Sequence, residues 1–343
     1  MLQLRRSKRR AAVAAAALTA AAVAAGYAFA ANRATRIGTG IVVIDTNLAY
    51  AGGQAAGTGM VLTSSGEILT NNHVIRGATT IKVVLPGTGR SYTAKVVGYD
   101  VTDDVAVLQA IGASGLKTVA TGTSTGLKVG QKVKAIGNAG GTGSLVTTTG
   151  TITGLARTIG VNDDSGGTST LRNLIETNAG LEPGDSGGPL VNAAGKVIGM
   201  DSAATVAGGY RQLSSSDGYA IPINRALTIV KAIVNGKSSA TIHIGGTAFL
   251  GISSVSAAQL PSYGDGQAGV VVASVVPGSA ADNAGLVAGD VVTALDGKSI
   301  TSQAALAASI LARKPGTQVA LTYLDQNGAT QTAQVTLASG PPQ

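Results

Sequence analysis

Short apolar runs, separated by turn-forming residues, dominate the chain between about residues 37 and 233. The runs are rich in Val and Ile and are bounded by Gly, Asn, Asp or Ser, which is typical of short strands joined by tight turns. Examples lie at 41–44, 59–62, 80–85 and 129–136. The pattern predicts a mainly β domain over residues 36–235.

A helical period appears near the end of this domain, at residues 225–234. In this segment Leu227, Val230 and Val234 fall on one face, as expected for a helix that packs on a core. The Asn-Gly pair that follows is a helix-stop signal. We therefore predict that a helix closes the first domain.

The polar stretch 236–246 is predicted to be a linker, and residues 247–340 a second, smaller domain. His243 lies in the linker without any surrounding motif, so we expect it to be a linker or strand residue. The second domain alternates strand-like and helical stretches. Its predicted elements are a strand at 269–276, helices at 279–284 and 302–313, and a hairpin turn at 327–328. The final residues, 340–343, are expected to be loose.

The N-terminal segment has the pattern of an export signal. Residues 1–10 are basic, and residues 11–31 are uncharged and mostly apolar. Such a segment keeps the N-terminus in the cytoplasm and directs the rest of the chain to be exported. It is long enough to cross about 30 Å of hydrocarbon, but it is rich in weakly hydrophobic Ala, and its Ala-Phe-Ala at 28–30 resembles a cleavage site. Two interpretations stay open: a single-pass membrane anchor, or a cleaved signal peptide followed by secretion.

Composition and charge exclude some classes of partner. The 343 residues carry a formal net charge of +8, but a basic cluster at 5–10 supplies most of it, so the rest of the chain is only mildly basic. No basic cluster has interleaved aromatic residues, so nucleic acid is not expected as a partner. The chain has no Cys, so packing rather than disulfides must hold the fold. No metal or cofactor is expected.

Three motifs occur in the order His, Asp, Ser: TNNHVI at 70–75, DDVAVL at 103–108 and GDSGGPL at 184–190. A serine hydroxyl is a poor nucleophile at neutral pH and needs a base within hydrogen-bond reach. Histidine suits that role because its pKa lies near neutrality, and a carboxylate on its other nitrogen fixes its tautomer. The motifs therefore predict a nucleophilic triad of Ser186, His73 and one of the adjacent Asp103 and Asp104.

Glycines around the predicted nucleophile point to an oxyanion hole. They let the backbone turn sharply and leave N–H groups available to a substrate. We expect the N–H groups of Gly184 and Ser186 to stabilise the oxyanion that develops on the substrate carbonyl. Few structural needs call for Gly-Asp-Ser-Gly-Gly together, so the run favours a catalytic interpretation over an ordinary turn.

Together with GYAIP at 218–222 and the C-terminal unit, these motifs resemble those of the HtrA/DegP-type serine proteases, in particular the membrane-anchored actinobacterial kind. The resemblance covers roughly residues 38–340. It implies a chymotrypsin-like fold of two six-stranded β-barrels, with the triad in the cleft between them, followed by a PDZ domain. It further implies homotrimers that degrade misfolded or unfolded exported proteins without ATP, as envelope quality control under stress. It also favours a retained anchor.

The resemblance assigns Asp104 as the triad carboxylate, because this residue directly precedes the apolar run, as in the family. Asp103 then points to the other side of the strand and is expected to be a solvated turn residue. Asp185 departs from the family, in which Asn is common at this position. In activatable trypsin-like enzymes such an Asp pairs with a new N-terminal amine, and the Arg-Ile-Gly at 36–38 faintly resembles an activation site. That alternative stays open beside a local hydrogen bond.

The primary specificity pocket is predicted from residues around the nucleophile. The residues expected to line it are Leu181, Met200, Ser202 and Ala203. The resemblance places an aliphatic residue at position 181, and the neighbours are small or apolar, so we expect cleavage after Val, Ala or Ile. Glu182 complicates this expectation, because a basic preference would follow if its side chain entered the pocket. A solvent-facing Glu182 is expected instead.

The second domain carries a loop typical of PDZ domains. Phe249, Leu250, Gly251 and Ile252 match the apolar-Gly-apolar loop whose backbone N–H groups bind a peptide C-terminal carboxylate, after which the peptide adds a strand to the sheet edge. The resemblance implies that this domain binds unfolded C-termini and that loop 158–172 relays its occupancy to the oxyanion turn. The alternatives are a non-catalytic PDZ chaperone or binding protein on a protease fold, and a secreted nutritional protease, which the PDZ unit disfavours.

Overall fold

A computed structural model describes residues 38–50, 52–162, 168–202, 218–256 and 269–343. The predicted N-terminal segment at 11–31, with its expected hydrophobic helix, lies outside the described residues, as do Ile37 and Ala203. Within the described ranges, no helix is both long enough and apolar enough to cross a membrane.

The first six strands form a closed antiparallel barrel. Their bounds are β1 Ile41–Leu48, β2 Gly53–Val61, β3 Glu67–Thr70, β4 Thr80–Val84, β5 Ser91–Asp100 and β6 Val105–Ala110. They run in the order β5-β4-β1-β2-β3-β6, and β5 also pairs with β6, which closes the sheet. A short helix, α1 (Asn72–Ile75), follows β3. Alternate strand residues point inward, so Ile44, Ile68 and Leu108 lie in the interior and are fully buried.

A second antiparallel barrel follows. Its strands are β7 Lys132–Gly137, β8 Val146–Asn162, β9 Thr168–Thr177, β10 Pro189–Asn192, β11 Val197–Ser202 and β12 Gly218–Pro222. They close in the order β10-β11-β12-β9-β8-β7, and β10 pairs with β7. Its interior holds Ile175, Leu190 and Ile198. The predicted chymotrypsin-like double six-stranded barrel is confirmed.

Helix α2 (Ile223–Val234) follows β12 and matches the predicted helix at 225–234. Its buried face agrees in part with the predicted one. Val230 is buried and Leu227 packs against the core, but Val234 is 46% exposed, and the face is completed by Ala226, Ile229 and Ile233. Residues 226, 229 and 233 recur at the three- and four-residue spacing of a helix, and they pack into a core shared by both barrels. The helix therefore packs against both barrels and fixes their positions on the two sides of the cleft.

The stretch predicted as a linker contains a strand, β13 (Ile242–Ile244), that joins the first barrel. It pairs with residues 98–100 of β5, whereas β4 pairs with residues 91–93 at the other end of that strand. His243 is thus a strand residue, and its ring stacks on Tyr99 with the ring centroids 5.0 Å apart.

The remaining elements build a small separate unit. Their bounds are β14 Thr247–Phe249, β15 Ile252–Ser256, β16 Val270–Val275, α3 Ala280–Asn283, β17 Val291–Leu295, β18 Lys298–Ser299, α4 Gln303–Leu311, β19 Gln318–Leu324, β20 Thr330–Thr336 and β21 Ala338–Gly340. The main sheet has the order β15-β16-β17-β19-β20, β18 pairs with β17, and β14 pairs with β21. The N-caps Ser279 and Ser302 accept backbone N–H groups at the starts of α3 and α4. The unit has its own apolar core.

The last residues of the chain pack against the first barrel. Pro341 and Pro342 are buried. The N–H of Gly77 donates to the Pro342 carbonyl at 2.8 Å, and the Asn72 amide donates to the Gln343 carbonyl at 2.9 Å. The expectation of a loose tail at 340–343 is therefore wrong, because the residues after β21 find backbone and side-chain partners beside α1.

Candidate active site

His73 and Asp104 meet at one end of the first barrel. His73 lies in α1, directly after β3, and Asp104 ends the β5–β6 turn with a left-handed φ of 53°. One carboxylate oxygen, Oδ2, lies 2.8 Å from His73 Nδ1, and the other, Oδ1, accepts the His73 backbone N–H at 2.9 Å. The Asn71 amide donates to the Asp104 carbonyl at 2.9 Å. Both oxygens of a buried carboxylate thus hold one histidine in a fixed orientation.

The second barrel adds a further donor to this carboxylate. The hydroxyl of Ser202, at the end of β11, donates to Asp104 Oδ2 at 3.4 Å. Ser202 is buried. The hydrogen bond places this predicted pocket residue against the Asp104 carboxylate. The sequence offers no signal for this contact, because Ser202 and Asp104 lie on different barrels.

Asp103 has a different role from the expected one. Its carboxylate pairs with the guanidinium of Arg225 in α2, with Arg225 Nε donating to Oδ2 at 3.0 Å, and Arg225 also donates to the Arg172 carbonyl. The expectation of a solvated turn residue is wrong, because α2 crosses the β5–β6 turn and brings a cation to it. Adjacent aspartates therefore face a histidine and an arginine.

Ser186 follows a tight turn that fixes the backbone around it. The Asp185 N–H donates to the Glu182 carbonyl at 3.0 Å, with Pro183 and Gly184 at the two central positions and Gly184 at φ 101°. Proline followed by a residue of positive φ is the signature of a type II turn. The Ser186 carbonyl accepts from the N–H of Thr58 at 2.8 Å.

The peptide between Pro183 and Gly184 has a fixed direction. Its carbonyl accepts the Gly140 N–H at 2.8 Å, and the Gly184 carbonyl accepts the Thr58 hydroxyl at 2.8 Å. A trans peptide is planar, with C=O and N–H on opposite sides, so the Gly184 N–H points away from Gly140. The Thr58 hydroxyl also accepts the Asn138 N–H. Thr58 carries no motif in the sequence, so its support of the turn could not be predicted.

Asp185 makes the local hydrogen bond that the sequence left open. Its Oδ2 accepts the Glu182 N–H at 2.9 Å. Burial is the main cause that raises the pKa of its carboxyl above the ordinary value, and the Glu182 charge raises it further, against the lowering effect of the Glu182 N–H. Ile37, the partner in the activation alternative, lies outside the described residues.

The predicted pocket residues occupy different environments. Leu181 packs against Gly218 so closely that a Cβ at position 218 would lie 2.6 Å from its Cγ. Met200 is fully buried in the core shared by the barrels, and Glu182 is exposed. Leu181 thus lies beside both the Glu182–Asp185 turn and the start of β12.

The PDZ-like loop lies beside an open groove. Leu250 is buried, the Gly251 carbonyl accepts the Val276 N–H at 2.9 Å, and Ile252 begins β15, the first strand of its sheet. The groove is bordered by β15 and α4, and Phe249 and Gln303 contribute to its lining. Phe249 also stacks on Tyr50 of the first barrel, with centroids 5.1 Å apart. A sheet edge beside an apolar groove is the geometry that an added peptide strand requires.

Comparisons with known proteins agree on two domains. Residues 57–200 match the family model of a trypsin-like peptidase domain, and residues 248–337 match that of a PDZ domain. The chain is 35% identical over 317 residues to the serine protease PepD of Mycobacterium tuberculosis, which covers 89% of this chain and 65% of PepD. It is 37% identical over 288 residues to the periplasmic pH-dependent serine endoprotease DegQ of Escherichia coli, which covers 83% of this chain and 59% of DegQ.

Solved structures give the same result. The HtrA-type protease AlgW with tripeptide aligns over 91% of this chain and 98% of its own, with a TM-score of 0.51 and 28% sequence identity. The chain therefore spans all but a small part of this structural relative, but less than two thirds of the two curated relatives.

Proposed function

The chain belongs to the HtrA/DegP family of trypsin-like serine proteases with a PDZ domain, and from this premise we propose that it is a serine endopeptidase. It hydrolyses peptide bonds without ATP through an acyl-enzyme. The observation that carries the proposal is the contact of both Asp104 oxygens with His73. The turn at Glu182–Asp185, directly before Ser186, adds to it because the Gly184 N–H there points away from Gly140. The alternative of a non-catalytic binding protein has no support from these relatives, which are named as proteases.

The proposed mechanism rests on these contacts. Ser186 Oγ attacks the scissile carbonyl while His73 Nε2 takes its proton, and Asp104 stabilises the imidazolium through Nδ1. The N–H groups of Gly184 and Ser186 donate to the oxyanion of the tetrahedral intermediate. His73 then gives the proton to the leaving amine, and a water molecule, activated by the same histidine, hydrolyses the acyl-enzyme.

The proposal is tested by digestion of casein, an unfolded protein, with the cleavage sites mapped by mass spectrometry. We expect casein to be cut and a serine-directed organophosphonate to label Ser186 and abolish the cutting, because only an activated serine reacts with that reagent. Intact casein together with an unlabelled Ser186, with and without added C-terminal peptides, would refute the proposed activity.

The same cleavage map tests the pocket. With Leu181 against Gly218 and Glu182 exposed, we expect cuts mainly after Val, Ala or Ile. Cuts mainly after Lys or Arg that disappear in Glu182→Gln would show instead that the Glu182 carboxylate enters the pocket.

Gly184→Ala is expected to lower kcat about 10²–10³-fold, the usual effect of losing one oxyanion donor. A Cβ at this position would lie 2.2 Å from the Asn138 carbonyl oxygen, and φ is 101°, so the turn must move. Steady-state kinetics with a peptide substrate measures the loss. Gly195→Ala is the control, because φ is 73° there but nothing lies within 4 Å of the added Cβ. An equal loss in both variants would contradict the role of the Gly184 N–H.

The finer assignments belong to the same proposal. We propose unfolded exported proteins as substrates, because relatives such as DegQ are named as periplasmic proteases. The Phe249–Ile252 loop and the edge of β15 then bind C-terminal peptides. A homotrimer, a membrane anchor at 11–31 and a role in stress response are carried over from the family. The domain bounds we propose are 36–235 for the protease and 247–340 for the PDZ domain.

A further inference from the structure

Two buried carboxyl groups lie next to the oxyanion turn. Asp201 in β11 is 0% exposed and Asp185 is 3% exposed. Neither oxygen of Asp201, nor Oδ1 of Asp185, has a hydrogen-bond partner among the described residues. The fourth oxygen, Asp185 Oδ2, accepts the Glu182 N–H. Three buried carboxyl oxygens of these two residues therefore have no donor within the part of the chain that the structure describes.

The backbone connects these two residues through the nucleophile loop. The Gly188 N–H donates to the Asp185 carbonyl at 2.9 Å, and the Asp201 N–H donates to the Gly188 carbonyl at 2.7 Å. The Asp201 carbonyl in turn accepts the Gly187 N–H at 2.9 Å. The backbone of Asp201 thus bonds to both Gly187 and Gly188, the two residues directly after Ser186, and so attaches the nucleophile loop to β11.

An unpaired carboxylate in this position is unfavourable. Burial without hydrogen bonds strongly disfavours a charge, and it raises the pKa of Asp201 well above the ordinary value, with the charge of Asp185 as the second cause. Two neighbouring carboxyl groups in a buried site do not both ionise at neutral pH. A protonated carboxyl, in contrast, supplies an O–H donor, which is what Asp185 Oδ1 lacks.

We propose that Asp201 keeps its proton and donates it to Asp185 Oδ1, and that this pair holds the Glu182–Asp185 turn in the form that presents the Gly184 N–H to the oxyanion. The pair carries one proton and one negative charge. Asp201 is a positioning residue, because it acts through Asp185 and touches no reacting atom. The kinetic part of this inference rests on the proposed protease function, whereas the protonation state does not.

The proton on this pair makes the turn sensitive to alkaline pH. In this proposal Asp201 holds its proton at neutral pH. Because folding raises the pKa of Asp201, the proton is lost as the pH rises through the folded value. Loss of the proton leaves two buried negative charges below the turn. The neighbouring elements also carry Glu182, Tyr219, Glu176, Asp104 and His73, the cations Arg225 and Lys231 of α2, which packs against β11, and the exposed lysines of β7. After burial, the charge of Asp185 is the second cause that raises the pKa of Asp201.

Infrared spectroscopy tests the proton directly. At about pH 8, where ordinary carboxyl groups with pKa values of about 4 are ionised, the wild-type protein is expected to show the C=O stretch of a protonated carboxylic acid. Asp201→Asn is expected to lose this band. Asp290→Asn is the matched control, because Asp290 is also buried, lies in the PDZ unit, and has an Oδ1 without a partner among the described residues. It is expected to keep the band.

The pH dependence of kcat/KM tests the positioning role. We expect the wild type and Asp290→Asn to lose activity on the alkaline side with one inflection. In Asp201→Asn the asparagine supplies Asp185 with an N–H donor that does not titrate. The alkaline inflection of this variant is therefore expected to vanish or to move up by about one pH unit or more, which corresponds to a tenfold change in proton affinity.

Several results would overturn the inference. They are the absence of the band in the wild type, its survival in Asp201→Asn, an unchanged alkaline inflection in Asp201→Asn, or a wild-type profile that is flat up to about pH 10. If the wild type cleaves no substrate, the proposed function fails, but the infrared band still decides whether Asp201 is protonated.

Discussion

Ser186→Ala is expected to lower kcat for peptide hydrolysis about 10⁶-fold, as when the nucleophile of a serine protease triad is removed. The substitution deletes one hydroxyl from a buried side chain and leaves the backbone bond from Thr58 N–H to the Ser186 carbonyl in place. We therefore expect an unchanged melting temperature and an oxyanion hole that still functions. The residual rate is then about 10³–10⁴-fold above that in water.

Ser202→Ala is the matched control for this measurement. It removes a buried hydroxyl from the same site, but one that donates a single hydrogen bond of 3.4 Å to Asp104. Such a bond contributes about 1 kcal/mol, so kcat is expected to fall by less than about tenfold. If Ser186→Ala retained activity within about tenfold of Ser202→Ala, Ser186 would not be the nucleophile.

Asp104→Asn is expected to lower kcat about 10⁴-fold at neutral pH, through the tautomer of His73. The His73 backbone N–H donates to Oδ1, so the oxygen of an asparagine stays at that position. Its NH₂ group then replaces Oδ2 and donates to His73 Nδ1. The ring must carry its own proton on Nε2, and it can no longer accept the proton of Ser186.

Asp103→Asn is the control for Asp104→Asn, because it removes a negative charge at the adjacent position without changing the contacts to His73. It removes the ion pair with Arg225 in α2 but leaves both contacts to His73. A partly exposed ion pair contributes about 1 kcal/mol or less, so we expect a lower melting temperature and a kcat within about tenfold of the wild type. Similar losses of kcat in the two variants would contradict the assignment of Asp104 as the residue that orients His73.

The sequence predicted the parts of this fold that depend on local pattern. Short runs of Val and Ile between turn residues predicted a mainly β domain, and the resemblance to the HtrA/DegP family implied its two barrels. Two of the three motifs supply His73 and Asp104, which the fold brings into contact. The strand and turn predictions succeed because strand period and turn chemistry are visible within a few neighbouring residues.

Contacts between distant segments were not predictable. The partner of Asp103 is 122 residues away in α2, and the hydroxyl on Asp104 Oδ2 comes from a strand 98 residues later. The buried face of α2 was displaced in part from the predicted one for a similar reason. The period of a helix is visible in its own residues, but the face that is buried depends on the barrels against which it packs.

Strand β13 has a consequence for the order in which the molecule is assembled. The half of the β5 edge that β4 does not reach receives its partner from residues 242–244, which come after the entire second barrel and α2 in the chain. A chain that emerges N-terminus first therefore presents an open strand edge on its first barrel until the whole second barrel and α2 have been made. Unpaired strand edges are sites where strands of other chains add and aggregation begins. A fragment that ends with α2 lacks residues 242–244, so this edge of β5 would stay unpaired in the fragment, whereas in the whole chain it is unpaired only during synthesis.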